Sequence, residues 1–144
     1  MTTVVRRAGP DDLRVLIELV AEYCTADDHI FDEQTVRDGL EPLLVDDAYG
    51  AIWMIDETDG YIVVTWGWSI EIGGLDVVLD EFYVRSRGEG KGSDALVVVE
   101  AACRERGVKR IFLETELANT GARRLYERHG YTADSSIWMS KELS

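Results

Sequence analysis

The sequence predicts an α+β fold: a mixed, mostly antiparallel sheet flanked by helices, with one β-α-β crossover. Three observations predict it. Two segments of helical character come first, one with Leu13, Leu16, Ile17 and Val20 at helical spacing and one reading "DEQTVRDGLEPLL". Three strand-like runs follow as a meander, "GAIWMID", "GYIVVTWGWSI" and "LDVVLDEFYV", parted by the turn formers "ETDG" and Gly73–Gly74. The third run then hands over, through Gly88, Gly90 and Gly92, to a helical stretch and a further strand, "RIFLET". A crossover of that kind makes the strands on either side of it parallel.

Each element has its own reason. "TVVRR" is a short strand, and Pro10, Asp11 and Asp12 open the first helix, where a missing N–H costs nothing and acid favours the start. The second helix is weaker and is expected to end at Pro42. From Gly90 to Arg106 a third helix is expected, stopped by Gly107 as a left-handed cap. Val97, Val98 and Val99 favour a strand by propensity, but Leu96, Val99 and Cys103 share one helical face, and a helix packed on a sheet resolves the conflict. "GARRLYERH" reads as a fourth helix capped by Gly130, and "SSIWMSKEL" as a last strand. No linker or repeat interrupts residues 1–144, so one domain over that range is expected.

Composition excludes several classes. The net charge of −13 is unevenly held: residues 1–84 carry 4 Lys and Arg against 19 Asp and Glu, net −15, and residues 85–144 carry 11 against 9, net +2. So acidic a chain repels nucleic acid. No apolar run approaches the roughly 20 residues a membrane span needs, which argues against a membrane partner. Cys24 and Cys103 lack metal-ligand spacing and read as buried thiols of a reducing cytoplasm; His29 and His129 have no His or Cys nearby, so no metal is expected.

Glycine at a helix start costs backbone entropy, so "RGEGKGSDA" requires a reason. Backbone N–H groups at such a start form a positive concavity that suits pyrophosphate. A Walker loop fails here, because Lys91 is followed by Gly92 rather than Ser or Thr. "GKGSDA" fits a G-x-G-x-x-A dinucleotide fingerprint, but the strand before it closes a meander rather than a parallel unit. The third pattern, Arg87-Gly88-Glu89-Gly90-Lys91-Gly92, resembles the pyrophosphate loop of the GNAT superfamily of N-acetyltransferases. A second block, "NTGARRLYERHGY", is similar to that family's motif through Asn119, Ala122, Leu125, Tyr126, Gly130 and Tyr131, and "LDEFYV" resembles its preceding strand. The match is best over residues 75–131. Only Arg85 and Ser86 separate Val84 from Arg87, two fewer than family members often place there.

The resemblance implies transfer of acetyl from acetyl-CoA, the cosubstrate, to a primary amine by direct attack. It implies that main-chain groups of Phe82, Tyr83 and Val84 pair with pantetheine, and that Arg87, Gly88, Glu89, Gly90, Lys91, Gly92 and Ser93 surround the pyrophosphate. Asn119 caps the fourth helix and by resemblance touches the CoA arm, where Tyr126 also lies as the acid that protonates the thiolate. An alkylammonium near pKa 10.4 must lose a proton first, so a desolvated carboxylate or a water chain is required. Asp80 and Glu81 are the candidates. Neighbours on a strand face opposite sides, so one alone is expected at the substrate, and Asp80 matches the base of polyamine-type members. The acceptor is a small-molecule or protein amine, cationic by the charge split; a homodimer is compatible with the sequence. A non-catalytic acyl-CoA-binding or regulatory module and a dinucleotide-binding oxidoreductase are the alternatives. Trp53, Tyr61, Trp66 and Trp68 read as core strand residues before a pocket.

Overall fold

A computed structural model describes residues 2–144 and resolves two compact units, residues 2–114 and 115–144. The first is built on a five-stranded sheet in the order β1-β2-β3-β4-β5. Its strands are β1 (Val5–Arg7), β2 (Gly50–Ile55), β3 (Gly60–Ser69), β4 (Gly74–Val84) and β5 (Arg110–Leu113). The first three pairings are antiparallel, and β4–β5 is parallel, as a crossover through α3 (Lys91–Glu105) demands.

Apolar alternation covers both faces. On one, Leu16, Leu19, Val20 and Cys24 of α1 (Leu13–Ala26) and Leu40 and Leu44 of α2 (Glu33–Val45) pack with Ile52, Met54, Tyr61 and Val63. Between them on the strands, Ala51, Trp53, Ile62, Val64 and Val77 are buried on the opposite face, where α3 meets β1, β2 and β4 and buries Ala95, Leu96, Val99 and Cys103. The Val97–Val99 run is therefore helical because its third valine is core; Val97 and Val98 stay exposed. Sheet contacts override strand propensity there. Both cysteines are buried and free, and Gly107, at φ 91°, follows the end of α3.

Two sequence expectations change. The second helix does not end at Pro42 but continues to Val45. Proline removes one helical bond only, and in the last turn the burial of Leu40 and Leu44 outweighs it. "SSIWMSKEL" is not a strand: the second unit holds one helix, α4 (Thr120–Arg128), and no strand among the described residues. A strand needs a hydrogen-bonded neighbour, and Ile137, Met139 and Leu143 of this segment are exposed.

A turn of 3-10 helix, Pro10–Asp12, joins β1 to α1 and rests on Asp12. Its carboxylate accepts from the Gly9 N–H at 2.8 Å and from both Arg6 Nη atoms at 2.9 and 2.7 Å. The Arg6 guanidinium holds this carboxyl below its ordinary range, against the opposing effect of burial. Asp12→Ala is expected to cost about 2–3 kcal/mol at pH 7 in urea unfolding. Because the folded pKa is depressed, the contribution is complete above the ordinary carboxylate pKa and is lost as pH falls through the folded value. The gap between variant and wild type should therefore close in acid.

Candidate active site

The site begins with an irregularity in β4. Val63 pairs with Glu81, whereas Val64 pairs with Leu79, so Asp80 is an extra residue opposite no partner of its own. Such a bulge interrupts the period-2 alternation and re-aims side chains. The regular alternation from which opposite faces were expected for Asp80 and Glu81 is broken here. Glu81 takes the face of Val63 and Tyr61, towards α1, although Leu79 two residues earlier lies across from Val64 on the other face.

Glu81 is fixed. The Tyr61 hydroxyl, on a wholly buried ring, donates to Glu81 Oε1 at 2.7 Å. Burial pushes the Glu81 carboxyl above its ordinary pKa, the Asp80 charge adds to the rise, and the Tyr61 bond and His29 oppose it. Tyr61 is itself raised, first by burial and then by the Glu81 charge, so it remains a donor. Asp80 reaches solvent, yet the surrounding protein desolvates its carboxyl enough to raise it as well. Around this pair stand Tyr83, whose ring centroid is 6.4 Å from that of Tyr61, and Tyr23, 6.1 Å from Tyr83. His29, on the α1–α2 connection, stacks on Tyr23 at 6.2 Å and meets Asp27 through Nε2 at 2.8 Å. Sequence reading did not find Tyr23, His29 or Glu22 as neighbours of β4; Glu22 and Tyr23 arrive from α1, whose spacing reports only its apolar face, and His29 from the connection that follows it.

Past the bulge, β4 outruns β5. Their pairing covers Asp76 to Leu79 and ends at Leu113, so Phe82, Tyr83 and Val84 continue beyond the end of β5 while still paired to β3 on their other side. The short connection then turns. Arg85 is drawn back to α1 by Glu22, which also accepts from the Tyr83 hydroxyl, and its Nη1 donates to the Thr58 carbonyl. Its guanidinium is a strut.

Gly88 and Gly90 both hold φ 75°, a left-handed conformation that side chains with a Cβ resist. Gly90 is the N-cap of α3. A Cβ on either would meet no atom within 4 Å, so the bare backbone opens on free space. Arg87 and Glu89 are exposed, whereas Lys91, Gly92 and Ser93 are half-buried in the first turn. Lys91 Nζ lies 3.0 Å from Asp56 and 3.1 Å from Asp59, and the Asp94 carboxylate accepts from Thr3 at 2.5 Å. Of the acids near the loop, Glu89 is thus exposed and Asp94 is engaged by Thr3.

In the second unit, Asn119 caps α4, its side chain accepting from the Ala122 N–H at 3.1 Å. Tyr126 packs edge-on to Tyr131 at 5.7 Å, and burial pushes its phenol up to about 12. Of the tryptophans, Trp53 is core, Trp66 lies under the Arg106 guanidinium at 4.0 Å and Trp68 is 75% exposed, so the core reading does not extend to Trp68. Among the described residues no cluster of three or more His, Cys, Asp and Glu could hold a metal ion, and no helix is long and apolar enough to cross a membrane.

A family model described as Acetyltransferase (GNAT) family matches residues 15–131. An integron cassette protein from the mobile metagenome of Cole Harbour Salt Marsh is 32% identical, with a TM-score of 0.86 over 97% of this chain and 90% of that one. A protein provisionally named an acetyltransferase, from Arthrobacter sp. FB24, is 25% identical, with a TM-score of 0.84 over 97% and 96%. The ribosomal-protein-alanine N-acetyltransferase of Brucella melitensis biovar Abortus 2308, 19% identical with a TM-score of 0.77 over 99% and 100%, shares the fold. No curated protein matches the sequence.

Proposed function

Because the chain belongs to the GNAT family of acetyltransferases, we propose that it moves acetyl from acetyl-CoA to a cationic primary amine, with both units acting as one domain. The observation that carries this reading is the β4–α3 connection. Its left-handed glycines stand at the N-terminus of a 15-residue helix, directly after a strand that outruns its neighbour. Helix-start amides suit a pyrophosphate, and the extended edge of Phe82, Tyr83 and Val84 suits the amide-bearing arm of pantetheine as an added strand. One main-chain N–H there would polarise the acetyl carbonyl.

Glu81 is the better base. It is held by Tyr61, half-buried and raised in pKa, whereas Asp80 is more exposed and acts on Glu81 by its charge. A carboxylate so placed takes the ammonium proton; the free amine attacks the thioester carbon, the C–S bond breaks, the thiolate takes a proton, and the nitrogen gives up its second proton to water as the amide forms. Tyr126, whose phenol stays protonated at neutral pH, is the proposed donor of that proton. For the acceptor, the net −15 of residues 1–84 gathers cations by a field that salt screens over about 8 Å at physiological ionic strength.

Acetyl-CoA is expected to raise the melting temperature, and Gly90→Val to abolish the rise. A β-branched residue disfavours φ 75°, so the loop must abandon the conformation that presents its amides. Open space around the position leaves the fold intact. Thermal shift with acetyl-CoA checks it: a variant stabilised as strongly as wild type would remove the loop from the donor site. A screen of amines for thiol release then tests turnover.

A further inference from the structure

We infer that Asp59, in the β2–β3 turn, is a positioning residue for the glycine loop, one carboxylate tying the two ends of the loop together. Its Oδ1 accepts from the Ser86 hydroxyl at 2.9 Å, where the chain leaves β4, and its Oδ2 from Lys91 Nζ at 3.1 Å, where α3 begins. The segment between these anchors contains Gly88 and Gly90, the two left-handed positions. The Asp59 main chain belongs to the same device, its carbonyl accepting from the Arg85 N–H at 2.7 Å.

The turn that carries Asp59 is itself braced. Asp56 donates its N–H to the Val4 carbonyl at 2.7 Å, accepts the Val4 N–H at 2.8 Å and reaches Lys91 at 3.0 Å. Asp56 and Glu57 hold φ 46° and 63°, uncommon for residues with side chains. Lys91 and Asp59 are only 16% and 17% exposed, so water competes little for their contact. A glycine loop has the most conformational freedom to lose when an anion orders it. Tying its ends beforehand removes part of that cost from binding. Two residues shorter than the usual connection, this loop reaches the turn through Ser86, the residue just before Arg87. Lys91 is thereby committed to carboxylates, which leaves the main chain as the principal anion donor.

This inference rests on the donor reading, and the experiment separates the two. Asp59→Ala and Ser86→Ala would be assayed with acetyl-CoA and with S-acetylpantetheine, which keeps the thioester arm and lacks the pyrophosphate. Asp59→Ala should raise the KM for acetyl-CoA about tenfold with kcat within twofold of wild type, and Ser86→Ala, a small half-buried change, about threefold. With S-acetylpantetheine both variants should match wild type, because that donor does not use the loop. Asp59→Asn, which keeps an acceptor for Ser86 and loses the anion facing Lys91, should fall between. Unchanged KM for acetyl-CoA in both alanine variants would overturn the inference, as would an equal loss with the two donors, which marks general destabilisation. A wild-type protein that neither binds nor turns over acetyl-CoA would instead fail the donor reading itself.

Discussion

Glu81→Gln is expected to lower kcat/KM for amine acetylation at neutral pH by about 10²–10⁴-fold, the usual worth of general base catalysis. Glutamine keeps an oxygen for the Tyr61 hydroxyl, so the geometry survives and only the proton acceptor is lost. Activity should return at alkaline pH, where free amine is already present. Two companions fix the sign. Tyr61 stabilises the charged carboxylate, so Tyr61→Phe should raise the Glu81 pKa and move the acid limb of the pH profile upward. Asp80 repels that charge, so Asp80→Asn should move the limb downward with a smaller loss of rate. The kcat/KM profile of each variant reads these shifts. If Asp80→Asn abolished activity and Glu81→Gln spared it, the base would be Asp80, as the sequence alone suggested.

Tyr126→Phe is expected to reduce kcat by a similar 10²–10⁴-fold while acetyl-CoA affinity stays near wild type. Phenylalanine keeps the ring and its packing against Tyr131, and removes the hydroxyl that would donate the proton. Burial raises that phenol to about 12, so Tyr126 should contribute no basic limb near neutral pH. Single-turnover acetylation would isolate the chemical step. A single-turnover rate within twofold of wild type would assign Tyr126 to packing alone.

Local chemistry alone determined the element order from β1 to α4, the parallel β4–β5 crossover and the glycine loop. Period-2 and period-3.6 patterns are properties of neighbouring residues, and a left-handed turn needs glycine wherever it occurs, so Gly88, Gly90 and Asn119 declare themselves in the chain. Leu16 and Val20 were legible as a buried face for the same reason, whereas Leu19, buried beside them, was not among the residues that spacing picked out. What only the tertiary structure decided depends on partners distant in sequence. The bulge at Asp80 is a mismatch between two strands and has no signature in either; it placed Glu81 against Tyr61, the contact on which the proposal of Glu81 as base rests. Pro42 stayed inside α2 because Leu40 and Leu44 meet a sheet from other parts of the chain. Residues 135–143 have strand composition but take no strand pairing, since a strand exists only through its neighbour. Arg85 and Lys91, cations beside an expected anion site, were claimed by Glu22, Asp56 and Asp59 from 32 or more residues away. Charge pairing depends on distance in space, which spacing along a sequence does not report.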